Sequence, residues 1–101
     1  MIIEVTAAGV ALRDARDFTQ FHVELAEGVD LAEALTVAGA GRPAGDDAYV
    51  SAAWVRDVMA EREDDDAEWQ TGFEAMLGLA RSKGWIAEDG DGIRAHVVGR
   101  P

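Results

Sequence analysis

The stretch that most constrains this chain covers residues 64–98, DDDAEWQTGFEAMLGLARSKGWIAEDGDGIRAHVV. Trp69, Phe73, Met76, Leu77 and Ala80 recur there at the spacing of one helical face. The pattern predicts a central helix over about 66–83. Asp65 is placed to cap its start, with Glu68 three residues on to complete a capping box. Gly84 supplies the left-handed residue that commonly ends a helix. Next come Trp85 and Ile86, an acidic turn through Gly90 and Gly92, and an alternating run over 93–98, which together read as a hairpin. The expected core joins Trp69, Phe73, Met76 and Leu77 to Trp54, Val58 and Leu35.

The opposite side of the same helix carries Thr71, Ala75, Gly78 and Ser82, about 180° from the apolar face. Lys, Glu or Arg would be usual on a solvent face, and Gly78 costs an exposed helix about 1 kcal/mol relative to Ala. Small side chains permit close approach of another backbone, within the chain or from a second copy. An Ala-rich composition gives the same stripe with no partner at all. Flanking Leu79 and Gly72, with charge confined to Glu68, Glu74 and Arg81, favour contact with another helix.

Elsewhere the elements are shorter. Ile2, Ile3 and Val5, then Val10 to Leu12, predict an N-terminal hairpin turning at 7–9. Residues 17–27 match two templates: Phe18, Phe21, His22 and Leu25 fit a helix, whereas Phe21, Val23 and Leu25 alternate as a strand does. The capping Asp17 decides for a helix, against the unfavourable placement of Glu24 and Glu27. Asp30 and Glu33 open a short helix that Gly39 stops. Residues 39–47, GAGRPAGDD, read as a loop, Tyr49 and Val50 as a brief extended piece, and Ser51 as the cap of a helix facing inward through Trp54, Val55, Val58 and Met59. Residues 61–66 form an acidic connection and 99–101 a frayed tail. The whole predicts one α+β domain over 1–101, with three to four helices packed on a small antiparallel sheet formed by the N-terminal and C-terminal hairpins.

Composition narrows the partners. A formal charge of −11 repels nucleic-acid phosphates and anionic membranes, so neither is an expected partner. Heavy use of Ala, Gly, Asp and Arg fits a GC-rich genome, and a salt-loving source accounts for an acidic excess, so the charge reflects origin before partner. With no cysteine there are no disulfides or thiolate sites, which suits a reducing cytoplasm. Met1-Ile2-Ile3 leads straight to Glu4 without the basic and long apolar regions of a signal peptide.

No motif names a chemistry. Residues 39–44, GAGRPA, have dinucleotide-fingerprint spacing, but they follow a predicted helix instead of a strand and contain Pro43. Asp89 and Asp91 resemble the opening of a calcium loop without its closing glutamate, so neither metal nor cofactor is expected. His22 and His96 are the only histidines, and their spacing does not suggest a joint site. On the last strand Arg94 and His96 share a face opposite Ile93, Ala95 and Val97, able to meet an anionic ligand or acidic partner, or, more simply, a neighbouring carboxylate. Helix followed by hairpin resembles the end of a winged-helix domain; a DNA reader needs both basic, and here the turn holds Glu88, Asp89 and Asp91. The sequence therefore points to a non-enzymatic protein-interaction or regulatory module, with a protein partner or a homodimer. The alternative is a small ligand-binding protein or enzyme using a pocket near His22, Arg94 and His96.

Overall fold

The computed structural model describes residues 1–100. Strands β1 (Ile2–Thr6) and β2 (Gly9–Arg13) form the expected N-terminal hairpin, followed by β3 (His22–Ala26) and helix α1 (Leu31–Ala38). Strands β4 (Gly41–Ala44) and β5 (Asp47–Ser51) lead into helices α2 (Ala52–Glu61) and α3 (Ala67–Ser82), and β6 (Gly92–Arg100) completes the described chain. All six strands join one sheet in the order β2-β1-β3-β6-β5-β4. β3 runs parallel to both β1 and β6, and the other pairs are antiparallel. Among the described residues the fold is α+β with three helices, but the sheet is six-stranded and mixed, not small and antiparallel.

The helices follow their local signals. Asp30 accepts from the Glu33 amide and Ser51 from the Trp54 amide, each satisfying an N-terminal donor. At the end of α3, the Trp85 amide donates to Ala80 O and the Gly84 amide to Arg81 O, with Gly84 at φ +76°. The start of α3 differs from expectation. Its cap is Asp66, which makes no side-chain capping bond; the carboxylate pairs with Arg16 instead. The Asp65–Glu68 capping box is not formed.

Three segments correct the sequence reading. Residues 22–26 are strand, not helix: β1 and β6 flank β3, and Val23 is fully buried between them, so long-range pairing overrides the local helical match. Residues 41–51 are a hairpin, not a loop followed by a short extended piece. Gly45 at φ +62° lies in its two-residue turn, and Pro43 is tolerated because β4 is an edge strand. The C-terminal hairpin has no first arm beyond a single Ile86–Ile93 bridge, and its second arm extends through Gly99 and Arg100, opposite Leu25 and Ala26. Gly99 and Arg100 are thus strand instead of tail, and Pro101 lies outside the described residues.

The core fills one side of the sheet. Ile3, Val5, Leu12, Val23, Val50, Ile93 and Ala95 meet Leu35, Val55, Met59, Trp69, Phe73 and Leu77, all buried. Trp69 and Phe73 stack with centroids 4.9 Å apart, and the indole Nε1 donates to Ala15 O at 2.9 Å. Trp54, Val58 and Met76 are only partly buried at the margin of this cluster. Helix α1 touches β4, β1 and β2 together, so the sheet curls until one helix reaches both its edges. No helix among the described residues is long and apolar enough to cross a membrane.

The small-residue face of α3 packs against nothing among the described residues. Thr71, Ala75, Gly78 and Ser82 are all exposed, and a Cβ at position 78 would meet no atom within 4 Å. Neither α1 nor α2 covers it, which removes the expected helix–helix contact within one chain. Gly72, one turn and a half earlier, is different: a Cβ there would sit 2.9 Å from two atoms of the Phe18 ring. Gly78→Ala should therefore raise stability by about 1 kcal/mol. Gly72→Ala should fall about 1–3 kcal/mol below it, because the ring must shift. Thermal melts of the two variants check this; a destabilised Gly78→Ala would reveal a partner on that face.

Candidate functional site

Strand alternation sends Glu4, Arg13, His22, Glu24, Asp47, Tyr49, Arg94 and His96 to the sheet face away from the helices. The register draws one transverse line through all six strands: Arg13, Ile2, His22, His96, Asp47 and Ala44 are successive partners. His22 and His96, 74 positions apart by number, are cross-strand neighbours. They nevertheless belong to different charge clusters. His22 Nε2 lies 3.3 Å from Glu24, which Arg13 also binds at 3.0 Å while reaching Glu4 at 2.6 Å. Arg94 Nε donates to Asp47 Oδ2 at 2.7 Å, and His96 Nδ1 lies 3.3 Å from Asp47 Oδ1. Arg94 thus has the carboxylate neighbour that the simpler sequence reading gave it, and Asp47 is the residue that reading did not supply.

These contacts shift the acids. The His22 hydrogen bond, with help from Arg13, holds Glu24 below the usual carboxylate range. Arg94 foremost, then His96, does the same for Asp47. Asp89 drops to about 2 because the Asp91 and Gly92 amides and Arg42 all donate to it. Asp17 falls to about 2 through the Thr19 hydroxyl and amide and the Gln20 amide group. The Asp89–Asp91 pair is thereby a turn: Asp91 itself accepts from Ser51 Oγ at 2.6 Å and from the Ala53 amide at 3.0 Å, reinforcing the start of α2. A carboxylate whose folded pKa lies below its unfolded one stabilises the fold above the unfolded value, and this is lost as pH falls through the folded value. Stability should accordingly hold down to about pH 4 and fall from there towards 2. Acid titrations of the parent and of Asp17→Asn/Asp89→Asn check this, the double variant showing a shallower fall.

A groove runs beside this face. One cavity of about 310 Å³ is apolar, bounded by Phe18, Phe21, Met76, Leu79 and Trp85. A second, of about 330 Å³, adjoins it at Phe21, Trp85 and Arg94 and holds Asp47 and His96 at its far end. Leu79 is 54% exposed and Trp85 46%, large apolar side chains left uncovered. Trp85 is anchored through its backbone, donating to Ala80 O and accepting from the Arg94 amide. Another cleft, about 380 Å³, lies between the β1–β2 turn and α1 with the exposed Val37 on its edge. Asp30 in that cleft is occupied as the cap of α1.

Of the residues singled out from sequence, Arg94 and His96 border the groove; His22 does not. Asp47, Phe18, Phe21 and Trp85 escaped that reading as site residues, and Leu79 entered it only as a flank of the small-residue stripe. Leu79 had a legible signal, since it lies about 100° from the centre of the buried face of α3. Asp47 had none, because its position depends on the pairing of β5 with β6. Comparison with family models, curated proteins and solved structures finds no match to this chain.

Proposed function

We propose that this protein is a non-enzymatic interaction module that seats an apolar segment of a partner protein in the groove beside Trp85 and Leu79. The observation that carries this reading is the exposure of both side chains on the wall of an apolar cavity. Burying them offers about 25 cal/mol per Å² of apolar surface removed from water, and nothing among the described residues does so. Their backbone is held by the α3 terminus and β6, which limits the ordering cost of binding. A second copy is a poorer occupant than another protein, because each copy brings a charge of −11 to the contact. The same charge disfavours nucleic acid and anionic membranes, and the absence of cysteine suits a cytoplasmic setting. A catalytic or small-ligand pocket centred on His22, Arg94 and His96 has less support, since His22 is bound to Glu24 outside the groove.

The test is selection from a random peptide library displayed on phage, using the full chain as bait. The parent should enrich apolar sequences. Leu79→Asp, with an unchanged melting temperature, should not. Equal enrichment by both proteins, or none by the parent, would sink the proposal. Mass in solution at the working concentration shows separately whether a second copy fills the groove.

A further inference from the structure

If the groove is a protein-binding surface, as proposed above, its polar end says what the bound segment carries. Arg94 borders both cavities and is the charged residue they share. A guanidinium has five N–H donors. Asp47 takes the one on Nε, which leaves donors on the terminal nitrogens. His96 Nε2 has no partner among the described residues, on a side chain 72% exposed. With Nδ1–H turned to Asp47 it is a further donor only on the imidazolium, so the spare donors of the neutral site are those of Arg94. Asp47 has one oxygen on Arg94 and the other on His96. The polar end of the groove therefore presents spare donors beside a carboxylate whose two oxygens are both engaged, and it calls for an acceptor.

The geometry points to the carboxyl terminus of a partner chain that ends in a large apolar residue. The side chain lies against Phe18, Met76 and Leu79, and the terminal carboxylate meets Arg94 and His96. A terminal residue carries a carboxylate on the same Cα as its side chain, which suits two adjoining cavities that share one charged lining residue, Arg94. The net charge of −11 does not forbid this. Exposed charges more than about 8 Å away are largely screened at physiological ionic strength, whereas an Arg–carboxylate bond acts in direct contact. The charge does set the neighbourhood: residues preceding the terminus should be neutral or basic.

The probe is acetyl-Gly-Ser-Gly-Leu-Phe as the free acid, compared with its C-terminal amide, titrated into the ¹⁵N-labelled full chain. The free acid should move the resonances of Leu79, Trp85 and His96. The amide should bind about tenfold or more weakly, because it forfeits a charge-assisted pair. Arg94→Gln should abolish the difference between acid and amide; if that variant is itself unstable, the comparison on the parent still decides. Equal binding of acid and amide at these residues overturns the carboxylate assignment and leaves the interaction reading intact. No binding of either up to about 1 mM overturns it as well, and the phage selection then judges the wider reading alone.

Discussion

Phe73→Ala is expected to lower the unfolding free energy by about 3–5 kcal/mol. The ring is fully buried, stacks on Trp69 with centroids 4.9 Å apart, and has the Arg56 guanidinium carbon 4.9 Å from its own centroid. Truncation leaves a cavity beneath α3 whose walls are the helix and the sheet, neither of which can close it alone. A domain of this size has about 5–15 kcal/mol in total, so the loss is a large fraction of it. Urea unfolding followed by tryptophan fluorescence measures the change. A midpoint within error of the parent would mean that α3 does not present this face to the sheet.

Gly41→Ala should be comparably damaging for a different reason. At φ +151° the backbone already lies where side chains are rarely accommodated, and a Cβ would overlap the Tyr49 carbonyl of the facing strand. The obstacle is main chain, held in the ladder by Gly41–Val50 pairing, so it cannot swing aside as the end of a side chain would. The expected cost is about 3 kcal/mol or more. Tyr49 also lies between Arg42 and Arg94, with centroids 4.9 and 5.8 Å from the two guanidinium carbons, so the damage should spread to the polar end of the groove. Denaturant unfolding gives the magnitude, and the Arg94 and His96 resonances show the spread. A variant as stable as the parent would mean that β4 does not pair in this register.

The parts of this fold that could be read from sequence are those fixed by near neighbours. Asp30, Ser51 and Gly84 each declare a helix boundary through bonds made within a few residues, and the N-terminal hairpin closes across a two-residue turn. β3 could not be read this way. Its sequence fits either period, and the choice is made by β1 and β6 on its flanks. Residues 39–47 read as a loop because Gly, Pro and Asp are frequent there, and only Tyr49 and Val50 as extended, whereas strands β4 and β5 exist through pairing with each other and with β6. The candidate site followed the same division. Arg94 and His96 share a face by simple alternation, but Asp47 joins them only across strands.

The place of β6 in the sheet has a kinetic consequence. It lies between β3 and β5, so without it the strands divide into two groups, β2-β1-β3 and β5-β4. Each group can form early, since its antiparallel hairpin is local. They cannot be united until residues 92–100 have left the ribosome and inserted between them, making contacts some 70 positions away in number on one side. Contacts so distant in sequence are slow to form. During synthesis the chain must therefore pass through a stage in which the inner edges of β3 and β5 are both unpaired, and that stage, not the finished protein, is when it is most exposed to mispairing.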